Sequence, residues 1–526
     1  MTGGDLSRRR FFGLAGGAGV LLTAGVAVPR LLDRPARTGE QLVSQVPLPE
    51  PFRVPLPIPR TLDPIGSGPY EDRYEIVQRL GTSEIVPGLR TPIWGYDGTF
   101  PGPTIESTSG RTAIVRHRNE LPVPTVVHLH GGRTPPDSDG YATDLVLPVG
   151  PNANTAAPHA GHGMHDPAAV ITTGVRDYTY PLRQRAAMLW YHDHRMDFTG
   201  PAVYRGLAGF HIVRDATEDA LGLPRGEREL PLMITDRAFN EDGTFRYPSL
   251  DRTLGSGPGV EDDYVEGVLG DVILVNGAPW PLHEVSATRH RLRILNASNA
   301  RRYDLALDPP PPGGGVLVQV GADQGLLETP VAHDDVPIAP AERYDLVVDF
   351  GRYPVGSEVT LVNRLGSGST ARIMRFRVAR PGADDSVVPE RLAEPDPLER
   401  GDAAVTREFS LRGGLIGDRH GWLINGEAFS PARIDARPRL GDVEVWRFVA
   451  DLHHPVHLHL VNFRVLSRGG GPPGPHDAGP KDTVDLRPGE SVELIARFDG
   501  YRGRYMFHCH NAEHEDMGMM ANFEVG

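Results

Sequence analysis

Four pairs of histidines two residues apart, His128/His130, His192/His194, His457/His459 and His508/His510, constrain the fold of this 526-residue chain more than any other feature. Its 21 histidines would yield roughly one such pair by composition alone. On an extended strand, residues i and i+2 point to the same side, so each pair presents two imidazoles side by side. Two pairs lie in the first part of the chain and two near its end. A shared site requires these distant segments to meet in space. Clustered imidazoles favour copper, zinc, iron or nickel over hard cations.

The only cysteine, Cys509, lies between His508 and His510, with His514 and Met519 shortly after it. A thiolate, a histidine and a distant thioether are the parts of a blue-copper electron-transfer site. A lone cysteine is more often a small packing residue, but the three upstream pairs give His508 and His510 a second site to serve. Strand alternation turns Cys509 to one face and its neighbours to the other, so one short strand joins two metal sites back to back. Hydrolytic zinc uses about three protein ligands and keeps one open position. Eight imidazoles exceed that, and a redox-inert ion has no use for the thiolate set. The donor count suits three coppers among eight imidazoles and a fourth at Cys509.

Glycine (62) and proline (50) are abundant and scattered, which favours many strands joined by tight turns, an all-β chain. Residues 112–117 alternate apolar and polar as a half-buried strand should. Asn276-Gly277 is a hairpin signal, and residues 422–426 echo 273–277, which argues for repeated domains of one fold. Three units are expected, at 60–218, 219–400 and 401–526, joined by charged linkers at 215–229 and 382–402. The middle unit has only isolated histidines, His283, His290 and His333, and reads as scaffold.

A net charge of -14 gives no general attraction to nucleic acid or anionic lipid. With one cysteine there is no internal disulfide, so stability comes from core burial and bound metal. Arg8-Arg9-Arg10 before Phe11-Phe12 and a glycine-interrupted apolar run reads as a twin-arginine export signal over 1–30, followed by an extended arm at 31–59. The run is too short and weakly apolar for a span. A periplasmic, cell-surface or extracellular monomer without stable membrane insertion is expected.

From Tyr74 onward the chain resembles the multicopper oxidases, nearest the spore-coat laccase, bilirubin oxidase and phenoxazinone synthase group. The motifs HLHG at 128–131, WYHDH at 190–194, HPVHLH at 454–459 and HCHNAEHEDMGMM at 508–520 carry the resemblance. It implies three cupredoxin-like Greek-key β-sandwich domains and four copper ions. The type 1 copper would take His454, Cys509 and His514, with Met519 as weak axial ligand. The type 2 copper would take His128 and His457, and the type 3 pair His130, His192, His194, His459, His508 and His510. The HP dipeptide favours His454 over His453, and Met517 and Met520 read as packing.

The resemblance further implies one-electron oxidation of phenols or aminophenols coupled to reduction of O2 to water. Electrons would enter at an exposed edge of His514 and pass through Cys509, while Asp139 and Glu515 would relay protons. The alternative is a cuprous-ion oxidase, or a copper-tolerance or electron-transfer protein. The run HAGHGMH at 159–165 matches none of the family's motifs and leaves room for that alternative.

Overall fold

The computed structural model describes residues 38–151, 153, 166–255, 257–314, 316–395 and 398–526. The expected export signal and the 159–165 histidine run lie outside them. Among the described residues no helix is long and apolar enough to cross a membrane.

Strand Thr112–Asn119 buries Ala113, Val115 and His117 and exposes Arg116 and Arg118, the alternation of a sheet with one face on a core. The same logic, repeated, gives three successive pairs of sheets, each over its own apolar core. The first pair contains a four-stranded sheet ordered Ile105–Thr108, Ala208–Arg214, Ala187–Asp193, Val127–His130. The middle pair has seven and five strands. The last contains a four-stranded sheet ordered Thr483–Leu486, His454–Leu458, Gly503–Cys509, Met520–Val525. The echoed turns are one device used twice: Asn276 and Gly277 have φ of 50° and 80°, Asn425 and Gly426 of 56° and 80°. Positive φ at both central positions suits the twist of a two-residue hairpin.

The four-stranded sheets carry the histidine pairs on adjacent antiparallel strands. In the first, His128 stands opposite His192; in the last, His457 stands opposite His508. Gly140 lets the following loop close over this sheet, because a Cβ there would sit 2.2 Å from the Val127 carbonyl oxygen, at a φ of +78°.

Two segments read as linkers or arms contribute more than connection. Glu40–Gln41 of the arm pairs in parallel with Val268–Leu269, and Leu42 and Leu56 are buried. In the 215–229 stretch, helix Ala216–Ala220 turns Glu218 inward, away from solvent. Glu218 approaches Arg291 and Arg293 at 3.1 and 2.8 Å, Glu229 approaches Arg214 at 2.7 Å, and Arg291 pairs with Asp345 at 2.5 Å. The charged composition that suggested a solvated linker belongs to a buried network that locks the first sheet pair to the middle one.

This network makes stability acid-sensitive. Burial pushes Glu229 up, but Arg293, Arg291 and Arg214 outweigh it and bring it from 4.5 down to about 2. A depressed carboxyl contributes stability above its unfolded value and loses it as pH falls through the folded one. Unfolding free energy from urea titration is therefore expected to fall between pH 4.5 and 2, with up to roughly 3 kcal/mol from this group. Glu229→Gln should be less stable at pH 7 and flatten that acid limb; an unchanged pH dependence would remove Glu229 from the account.

Candidate metal centre

Cys509 ends strand Gly503–Cys509, and the chain then turns through Asn511, whose side chain caps helix Ala512–Asp516. This turn returns His514 toward the cysteine. Cys509 Sγ lies 3.5 Å from His454 Nδ1 and 3.6 Å from His514 Nδ1, which are 3.0 Å from each other. The opposite ring nitrogens are anchored outward: His454 Nε2 donates to Asp451 at 2.8 Å and His514 Nε2 to the Glu266 carbonyl at 3.1 Å. Those bonds fix the tautomers and leave both Nδ1 lone pairs aimed at the sulfur. Burial pushes the Cys509 thiol well up, so it becomes a thiolate only when a cation replaces its proton. Met519 is buried beside the triangle, with its backbone bonded to Cys509 and His514. His453 instead faces Asp485 and Arg302.

Across the strand the remaining imidazoles converge. His128 Nε2 and His457 Nε2 are 3.4 Å apart, and His508 Nε2 is 3.2 Å from both His194 Nε2 and His459 Nε2. His130, His192 and His510 form a third group whose ligand atoms lie within 4.8 Å. Here too one nitrogen is tied outward. His128 Nδ1 donates to the Asp139 carbonyl at 2.6 Å, His457 Nδ1 to the Asp482 carbonyl at 2.9 Å, and His192 Nδ1 to the Asp193 carbonyl at 2.9 Å. His194 is the exception, its Nδ1 lacking an acceptor. On the inner side, His130 Nδ1, His192 Nε2 and His510 Nε2 have no hydrogen-bond partner although fully buried. Burial holds His128, His130, His459 and His510 well below the usual imidazole value. His192 and His194 fall to about 3 and 4 for the same leading reason. Neutral rings with unused lone pairs facing one space are the ligand form for a borderline metal such as copper.

Two aspartates hold this cluster in a near-symmetric way. Asp139 uses its carbonyl for His128 and its carboxylate for His459 Nδ1, at 2.7 Å. Asp482 uses its carbonyl for His457 and its carboxylate for His130 Nε2, at 3.0 Å. Each thus ties an imidazole of the first sheet pair to one of the last. The rings follow the same crossing, His128 stacking on His459 at 3.9 Å and His130 on His457 at 3.6 Å. Asp482 was missed in the sequence, where its only signal is a charged Lys-Asp step before the Thr-Val-Asp-Leu strand.

Glu515 sits against the cluster, its carboxylate 3.2 Å from His508 Nδ1 and 3.7 Å from His194 Nε2, and it accepts from Thr199 Oγ1 at 2.6 Å. Burial pushes both acids up. For Asp139 that leaves the carboxyl well above its ordinary value, whereas His508 and His194 pull Glu515 below it.

One expectation fails. His514 has no exposed edge: it is 2% accessible, its Nε2 is capped by Glu266, and the Trp422 indole stacks on its ring at 3.7 Å. Trp422 is itself buried, with its indole N–H donated to the Val265 carbonyl, and His420 packs edge-on at 5.0 Å as the outermost ring. The middle unit contributes the Glu266 and Val265 carbonyls to this cover, which a histidine-based reading of the chain had no means to reveal. Met517 packs by Gly259, and Met520 joins Met196 and Met506 in a small core.

Family profiles described as multicopper oxidase match residues 79–158 and 402–526. The chain is 37% identical to the laccase of Bacillus subtilis, covering 90% of this chain and 98% of that one. It is 35% identical to the bilirubin oxidase of Albifimbria verrucaria over 92% and 82% of the two chains. The multi-copper oxidase of Pediococcus acidilactici superposes with a TM-score of 0.77 at 30% identity, covering 93% of each chain.

Copper-loaded protein is expected to absorb strongly in the visible through its single thiolate. Cys509→Ser should lose that band and about one copper per chain, as read by absorption and metal analysis. A surviving band would remove Cys509 from the metal site.

Proposed function

This chain belongs to the multicopper oxidase family, and on that premise we propose that it oxidises small phenolic or aminophenolic donors one electron at a time and reduces O2 to two waters. Its architecture is three cupredoxin-like Greek-key β-sandwiches, with borders we place near residues 218 and 400. The observation that carries the reading is the back-to-back arrangement across one strand: a thiolate with two aimed imidazoles on one face, eight converging imidazoles on the other.

His454, Cys509 and His514, with Met519 as the axial thioether, would hold a type 1 copper. His128 and His457 would hold the type 2 ion; His130, His192 and His510 one type 3 ion, and His194, His459 and His508 the other. Bound copper supplies one-electron acceptance at the thiolate and four-electron delivery to O2 at the imidazole cluster. The chain's part is to connect, orient and exclude. Cys509 is covalently continuous with His508 and His510, and its carbonyl also accepts from His508 Nδ1 at 3.2 Å, so the two sites share bonded and hydrogen-bonded links. Burial keeps water from the cluster, while Glu515 and Asp139 are placed to hold and move protons beside it. Thr199, bonded to Glu515, extends that position toward helix Thr199–Arg205.

The covered ring of His514 supports a second reading, Cu(I) as donor, since a planar aromatic has no direct seat on that imidazole. We further propose export by the twin-arginine route and action as a monomer.

O2 uptake by the copper-loaded chain, measured with a phenol and with Cu(I), separates the readings; no uptake with either donor sinks both. Glu515→Gln is expected to slow O2 reduction at least about tenfold while the thiolate band persists. An unchanged rate would assign the relay elsewhere.

A further inference from the structure

The middle unit holds none of the clustered histidines, yet it reaches the imidazole site chiefly through Arg343, at the start of strand Arg343–Asp349. Its guanidinium grips Asp482 with both ends: Nη1 donates to Oδ1 at 2.7 Å and Nη2 to Oδ2 at 2.5 Å. The remaining donors go to main-chain carbonyls, Nε to Met188 at 3.1 Å, Nη1 to Ala341 at 3.0 Å and Nη2 to Asp323 at 2.9 Å. All five guanidinium N–H groups are used, and the side chain is 1% exposed. One residue thereby ties a strand of the first sheet pair, through Met188 on the strand that carries His192, to the middle pair and to Asp482 of the last.

The grip is doubled by its neighbours. Glu342-Arg343 faces Lys481-Asp482 with the charges reversed, Lys481 approaching Glu342 and Asp323 at 3.2 Å each. Gln324 adds a 2.6 Å bond to Asp482 Oδ2. With Oδ2 committed to Arg343 and Gln324, Oδ1 faces His130 Nε2, and the Asp482 carbonyl faces His457 Nδ1.

Resting on the proposed copper reading, we infer that Arg343 is a positioning residue for the imidazole copper site. By fixing the rotamer of Asp482 it sets His130 as the Nε2–H tautomer, with Nδ1 turned to the same space as the unpartnered nitrogens of His192 and His510. The same clamp holds the backbone carbonyl that orients His457. A bidentate guanidinium does this because its fork matches the carboxylate; a lysine ammonium is a point charge and fixes no plane. Copper loading at the imidazoles is thus conditional on docking of the middle unit through Arg343. Nothing in the thiolate triangle touches Arg343.

The test compares the full-length chain with Arg343→Met, Arg343→Lys and Asp482→Asn by copper titration, copper count per chain and electron paramagnetic resonance, alongside the visible thiolate band. Loss of an outer partner of a metal-bound imidazole weakens metal binding about 10- to 100-fold. Arg343→Met and Asp482→Asn are expected to show that loss at the imidazole site, with an altered type 2 resonance and the thiolate band kept. Arg343→Lys should fall between. Full loading at wild-type affinity in Arg343→Met, or equal loss of both sites in Arg343→Lys, overturns the inference. If Arg343→Met does not fold, Arg343→Lys and Gln324→Leu carry the same comparison, and wild-type affinity in both overturns it. A wild-type chain that binds copper at neither site fails the copper reading instead.

Discussion

The metal centre is organised by one requirement, met by most of its rings: a buried imidazole that is to bind metal has one nitrogen tied to the protein and the other left free for the ion. An unpaired buried polar atom costs roughly 1–3 kcal/mol, and His130, His192 and His510 each carry one. Several such lone pairs aimed at one space form an arrangement that a bound cation makes favourable. The outward bonds prevent the rings from turning to satisfy themselves. Asp139 and Asp482 are central because each fixes two imidazoles from two different sheet pairs.

That requirement explains the architecture. Strands supply the i, i+2 spacing that presents two rings to one side, and antiparallel pairing sets His128 opposite His192 and His457 opposite His508. No single sheet can surround the space between them, so the first and last pairs face each other across it. The middle pair, through Arg343 and the buried arginine–carboxylate network, sets how they meet. Its Glu266 carbonyl also caps His514.

The legible parts of the sequence were those with a local rule. Histidine spacing, the Cys509 flanks, strand alternation and the two Asn-Gly turns depend on neighbours in the chain, and the structure follows them. His454 over His453 was readable from the HP dipeptide of the family resemblance, and the strand begins at His454 itself. Arg343, Asp482, Asp451 and Trp422 were not, because each acts through a partner at another point in the chain: Asp482 is 139 residues from Arg343 and 352 from His130. Composition gave the 215–229 stretch a charged face but not Arg291 and Arg293, the buried arginines that face receives.

The cover over His514 bears most directly on which donors the protein accepts. An imidazole with an open edge lets a planar donor pack against the ligand itself. Here the Trp422 ring occupies one face of His514, and the Glu266 carbonyl takes the Nε2 proton that an incoming phenol would otherwise meet. A donor must therefore approach through the layer built from His420, Trp422 and the loop around Glu266, part of it from the middle unit. Contact at that layer depends on loop packing and not on the metal ligands, so chains sharing the four histidine motifs can differ in donor while keeping the same centre. On the proposed entry of electrons at His514, selectivity would rest on the middle unit and on the Arg419–Ile424 strand that carries Trp422.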